Sequence, residues 1–232
     1  MKSRLFPVMA IAALATIIGI FSCTKYGDDR YPTVPTALVN IVNVSPASTP
    51  LDYMFEPNWI APGNFAYRSY SGYLRVQPGQ RTFDAYAHGT NTKLLSKAIN
   101  LTADKFYSLF IVDTASKMDA VLLRDSTRAA AGDSVHIRFA NMSPDVASLN
   151  FYITGNAQAV STNVAYETAT DFTSMKAVRG IQFTISNAAG GATLAKSDSF
   201  YLQPGGVYTI LSSGYAGISS GVGTIRVGRM VH

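Results

Sequence analysis

Val135-His136-Ile137-Arg138-Phe139-Ala140-Asn141-Met142-Ser143-Pro144 is the stretch on which the fold turns, because it has an echo 98 residues upstream. Leu38-Val39-Asn40-Ile41-Val42-Asn43-Val44-Ser45-Pro46 follows the same plan, with apolar residues alternating or nearly alternating with polar ones and a Ser-Pro close. Alternation with a period of two marks a strand with one buried face, and proline, which has no N–H to give a ladder, ends it.

The echo continues outward from there. Leu51-Asp52-Tyr53 returns as Leu149-Asn150-Phe151, Asn64-Phe65-Ala66-Tyr67 as Asn163-Val164-Ala165-Tyr166, and Phe83 as Phe183. Phe106-Tyr107-Ser108-Leu109 returns as Val207-Tyr208-Thr209-Ile210, the offset drifting to 101. Self-similarity of this kind is the mark of a repeat. It divides the chain into unit 36–126 and unit 133–232, joined by a linker at 127–132. Further strands are predicted at Leu51 to Phe55, Arg81 to Ala87, Phe106 to Val112, Ala120 to Leu123, Leu149 to Ile153, Ile181 to Ile185, Val207 to Leu211 and Thr224 to Val227. Gln77-Pro78-Gly79, His88-Gly89, Ala189-Gly190-Gly191 and Gln203-Pro204-Gly205-Gly206 supply turns between them. No helical period appears after the first segment. About seven short strands per unit predicts an all-β chain of two tandem Ig-like antiparallel β-sandwiches.

The first 22 residues read differently. Lys2 and Arg4 precede an apolar run from Leu5 to Phe21, the pattern of a secretory signal. Cys23, the one cysteine of the chain, follows Ile20-Phe21-Ser22 directly and resembles the lipidation site of a bacterial lipoprotein. Acylation there would anchor the chain to a membrane through its N-terminus. Residues 23–35 read as a polar, proline-punctuated tether. Its Asp28-Asp29 pair resembles the export signal of surface lipoproteins in the Bacteroidetes, which places the protein at the outer membrane, at the cell surface or facing the periplasm.

Composition narrows the function classes. The 232 residues are 47% hydrophobic and 14% charged, with 13 Tyr and 12 Phe, which excludes a disordered polymer. Removing Lys2 and Arg4 from the 19 cations leaves 17 against 14 anions, so the mature chain carries +3, with no basic cluster to suggest a nucleic-acid partner.

Val135 to Asp145, Asn163-Val164-Ala165-Tyr166 with Asp171-Phe172, and Gly206 to Leu211 resemble a family of bacterial repeats of unknown function, Ig-like sandwiches that occur in tandem in secreted and lipid-anchored proteins. The first unit departs from the pattern at Ala47, and it carries Trp59 and Pro62 in a loop of different sequence. The resemblance implies an architecture and no activity.

No catalytic arrangement stands out. His88, His136 and His232 read as solvent-facing, no Gly-x-Ser-x-Gly elbow is present, and Glu56 and Glu167 occupy non-equivalent places. The chain is therefore expected to be no enzyme and to need no cofactor or metal. Tyr67 and Tyr73 read as core anchors, since their counterparts Tyr166 and Phe172 are aromatic. Trp59 and Tyr70 have no aromatic counterpart, and with Arg68 they make the candidate ligand patch, suited to a glycan or a protein partner. The expected function is a lipid-anchored, non-catalytic binding or structural module. The alternatives are a glycan-binding accessory of a surface nutrient-uptake system and a periplasmic envelope assembly subunit.

Overall fold

Alternation along the sequence becomes alternation of burial between two cores. In the first strand, β1 (Ala37–Asn43), Ala37, Val39 and Ile41 enter one core, while Val42 turns to the opposite face and is buried there as well. The structure, a computed structural model, describes residues 34–46, 49–114 and 116–232, and of residues 58–63 the backbone alone.

After β1 come β2 (Leu51–Phe55), β3 (Asn58–Phe65), β4 (Tyr70–Val76), β5 (Gly79–Ala87), β6 (Lys93–Leu101), β7 (Phe106–Val112) and β8 (Asp119–Arg124). Their sheets have the orders β4-β1-β7-β8 and β3-β2-β5-β6. The second half contains β9 (Ser134–Met142), β10 (Ser148–Ile153), β11 (Ser161–Ala165), β12 (Thr168–Ala169), β13 (Thr173–Lys176), β14 (Arg179–Ile181), β15 (Phe183–Asn187), β16 (Thr193–Lys196), β17 (Phe200–Tyr201), β18 (Val207–Ser213) and β19 (Arg226–Val231). Here the orders are β12-β9-β18-β19, with β13 also on β9, and β11-β10-β15-β16, beside a small β14-β17 pair. The described chain is all-β and sandwich-like.

The two halves share local chemistry. β1 runs parallel to β7 as β9 does to β18. Asn43 Nδ2 donates to the Phe65 carbonyl and its Oδ1 accepts from the Ser45 N–H, and Asn141 does the same with Val164 and Ser143. Tyr107 OH accepts from the Thr102 N–H and Tyr208 OH from the Gln203 N–H, five residues upstream in each case. These bonds satisfy the backbone where the strand leaves the ladder, which is why Asn-x-Ser-Pro recurs.

Three cores stack between four sheets. Tyr53, Phe83 and Leu109 belong to the first, and Phe139, Phe151 and Phe183 to the second. The third lies between β4-β1-β7-β8 and β12-β9-β18-β19 and buries Val42, Val44, Phe110, Val112, Ala140, Met142, Leu211 and Met230. The inner sheets are thus covered on both faces, and Pro35–His232 form one compact unit.

Two local expectations are corrected. Of residues 56–63, read as a loop, Glu56 and Pro57 form a turn and 58–63 lie in β3, an edge strand of its sheet, and an edge is where a strand tolerates Pro62. The last strand begins two residues later than expected, at Arg226, and continues to Val231, because β18 offers six partners from Tyr208 to Ser213.

Candidate functional site

The third core opens into a groove at one side, where β4 and β19, the outermost strands of the two inner sheets, stand apart. Val42, Val44, Leu211 and Met230 make its apolar floor, and its volume is about 170 Å³. Tyr70, 66% exposed, stands at the β4 side. Arg226 stands at the β19 side, and its guanidinium has no partner among the described residues. Arg68 enters from the turn after β3 at φ 68°. Its guanidinium stacks 4.5 Å over the Tyr67 ring and donates to the Thr224 carbonyl across the interface, at 3.1 Å. Its buried Nε finds no acceptor. Among the described residues no carboxylate lines the groove. Gly228 leaves the floor open: a Cβ there would meet only Leu211 carbons at 3.9 Å. An apolar floor with cations at the rim and no anion suits a ligand that is partly apolar and negatively charged.

Deeper in the same interface lies a closed ring of polar side chains. Arg138 Nη2 donates to Asp125 Oδ1, and Arg138 Nε donates to Thr209 Oγ1 at 2.8 Å. Thr209 is 2.7 Å from His232 Nε2, and His232 Nδ1 is 2.7 Å from Tyr73 OH, which donates to Asp125 Oδ2 at 2.8 Å. Ser108 Oγ also donates to Asp125 Oδ2 at 2.8 Å. Because Tyr73 gives its hydroxyl hydrogen to Asp125, Nδ1 of His232 carries the hydrogen between the ring and Tyr73. Arg138 also lies 4.7 Å over the Phe172 ring, and that ring meets His232 edge-on.

The order of hydroxyl, imidazole and carboxylate resembles a nucleophilic relay, but the side chains of His232 and Asp125 are 0% exposed and Thr209 is equally sealed. A substrate atom has no approach to the hydroxyl, so the ring acts as a staple between the sandwiches. Burial alone would raise the Asp125 carboxyl. His232, Arg138 and Ser108 outweigh it and hold Asp125 below the ordinary carboxylate value. Burial and the neighbouring Asp125 push the Tyr73 hydroxyl far up, which keeps it a donor.

The residues singled out from the sequence are distributed as follows. Cys23 lies outside the described residues, as do the signal and most of the tether. Trp59 is on β3, in a different sheet from Tyr70 on β4, and its side chain is outside the description. Arg68 and Tyr70 meet in the groove. Tyr73, read as a core anchor, instead puts its hydroxyl into the interface ring while its ring packs edge-on against Phe106. The expectation that all three histidines face solvent fails at His232, because pairing of Tyr208 with Val231 draws the next residue under Tyr73 and Thr209. His88 is partly exposed, 2.7 Å from Asp52. Arg226, Gly228 and the ring itself went unnoticed. Asp125 and His232 each follow the residue opposite Tyr107 or Tyr208, so the two stand at equivalent places in the two halves.

Fold and groove together define an all-β chain of stacked sandwiches with a ligand-sized cleft between its halves. It belongs to the family described as a domain of unknown function, DUF4397, whose model matches residues 37–152, from β1 through β9 into β10. No curated protein matches the chain. Similar solved structures include CBMbc, a family CBM26 module of Eubacterium rectale Amy13K in complex with maltoheptaose, at 10% identity, 85% coverage of this chain, 96% of that one and a TM-score of 0.27. Family 41 carbohydrate-binding modules from streptococcal virulence factors, described as recognising alpha-glucan, show 12% identity, 82% and 96% coverage and a TM-score of 0.26. A streptococcal virulence factor described as binding alpha-glucan gives 11%, 75%, 92% and 0.24. Likenesses this distant carry no argument about a ligand.

Proposed function

We propose that this protein is a non-catalytic binding module, held at the outer membrane by lipid on Cys23, that takes a partly apolar anionic ligand in the groove between its sandwiches. The groove carries the reading: an apolar floor, Arg68 and Arg226 at the rim, Arg226 with no partner among the described residues, and no carboxylate among the described lining residues. Exposed Tyr70 beside Arg68 also suits a sugar face, which keeps a glycan ligand as the second reading.

The test uses 2-naphthalenesulfonate, an apolar ring bearing one fixed anion, titrated calorimetrically into residues 24–232, which contain all three cores. Saturable binding is expected. Gly228→Leu, accommodated without positive-φ strain, should fill the groove and weaken binding by about tenfold or more, and Arg226→Glu should do the same by reversing charge. Binding that neither variant changes would place the ligand elsewhere. A neutral oligosaccharide that competes with the sulfonate would favour the glycan reading. The anchor has its own test: Cys23→Ser should move the full chain from the membrane fraction to the soluble one, and retention in the membrane would refute the lipid.

A further inference from the structure

Resting on that reading of the groove, we infer that the ligand is an extended peptide with acidic side chains, which adds as a further strand to the free edge of β19. β19 ends the sheet order β12-β9-β18-β19, so one of its sides has no strand partner among the described residues. The His232 N–H donates to the Val207 carbonyl, which sets the alternation of the antiparallel ladder. Arg226, Gly228 and Met230 therefore bond toward β18, and the N–H and C=O groups of Val227, Arg229 and Val231 point outward. A row of outward amides is a template for another strand unless it is covered or blunted.

Clefts lie on both faces of this edge. The groove of Val42, Val44 and Leu211 lies on the face of Gly228 and Met230. On the face of Arg229 and Val231 is a second cleft, of about 260 Å³, lined by Phe200, Tyr201 and Tyr208. Successive side chains of an added strand point to opposite faces, so they would fall alternately into the two clefts. Backbone pairing supplies affinity in that mode, and pockets on either side supply selectivity.

Charge selects the partner. Among the described residues neither cleft contains a carboxylate and Arg226 has no partner, and Arg229 projects over Phe200 at 5.3 Å and Tyr208 at 5.6 Å while donating to the Tyr201 carbonyl. A second copy of this chain pairing through its own β19 would bring two arginines against two arginines, which like-charge repulsion disfavours. An acidic glycan would satisfy the arginines and leave the outward amides unused.

The experiment is fluorescence anisotropy of labelled eight-residue peptides with residues 24–232. A peptide alternating glutamate and valine should bind saturably, and its lysine-valine analogue at least about tenfold more weakly. Two further versions carry N-methyl groups on alternate sets of amides. A strand on an edge turns only one set inward, so one version should lose binding about tenfold or more while the other keeps it. The acidic peptide should also displace 2-naphthalenesulfonate, and Gly228→Leu should weaken it. Equal losses from both methylated versions, or equal binding of the lysine analogue, would overturn the strand inference. If the sulfonate binds in the groove but the peptide does not, the groove reading survives and this inference falls; if neither binds, both fall.

Discussion

Arg138→Met is expected to destabilise the folded chain by about 3–5 kcal/mol, measured by urea denaturation. The Arg138 side chain is 4% exposed and that of Asp125 0%, so removing the arginine leaves a buried anion with Tyr73, Ser108 and, at 3.5 Å, His232 as its remaining partners. The double variant Arg138→Met/Asp125→Leu should recover much of the loss, because the stranded charge is then gone while Thr209, His232 and Tyr73 can still bond to one another. A coupling energy above about 2 kcal/mol in the double-mutant cycle would identify the pair as the source. A single-variant cost below about 1 kcal/mol would mean that the ring is open to water. The same ring sets an acid limit. The folded value of Asp125 lies below its unfolded value of about 3.8, so its contribution is complete above that value and is lost as pH falls through the folded value. In Arg138→Met one of the interactions lowering Asp125 is gone, so the loss should begin at higher pH.

The period of two was enough to place most of the principal strands. β2 and β7 occupy the residues expected, because Leu51 to Phe55 and Phe106 to Val112 are bounded by turn residues on both sides. Strands β4 and β6 were not foreseen. In β4, Gly72 and Ser71 interrupt the apolar pattern at an irregularity opposite Asn40 and Val42, and in β6 the lysines mark an edge strand facing water. Edge strands carry a weak hydrophobic signal because only part of their surface is buried.

The larger difference concerns the polar members of the alternation. Asn40, Ser108, Arg138 and Thr209 occupy positions that a single sandwich would give to solvent, yet each is buried against the other half. The clue lay in β18, where all seven residues from Val207 to Ser213 are buried and none is charged. A strand without a solvated face is covered twice. Arg138 faces Thr209 across its ladder where Asn40 faces Ser108, and His232 occupies the place of Asp125. Equivalent positions therefore carry complementary chemistry, which periodicity cannot reveal because it records polarity and ignores the partner. The candidate patch was legible in part for the same reason: Tyr70 stood out by having no aromatic counterpart in the second unit and Arg68 by lying beside it, whereas Arg226 and Gly228 matter only through a cleft that two distant segments make.

Phe110→Ala should cost about 3–5 kcal/mol and, more informatively, uncouple the two halves. Phe110 is 0% exposed and packs in the core shared with Val42, Met142 and Leu211, while the first and second cores do not include it. Losing the ring removes dispersion contacts and leaves a cavity at the apolar junction between sandwiches that each retain a core of their own. Calorimetry of the parent should give a single cooperative transition, and the variant a lower and broadened or divided one. Because the groove takes one side from β4 and the other from β19, loosening this junction should also weaken 2-naphthalenesulfonate binding, although Phe110 does not line the groove. Phe83→Ala provides the control: it is equally buried but lies wholly within the first core. It should lower the melting temperature while leaving the affinity of the remaining folded protein closer to that of the parent. Equal effects of the two substitutions on affinity would mean that the groove does not depend on the packing between the halves, and the two sandwiches would then have to be treated as separate binding units.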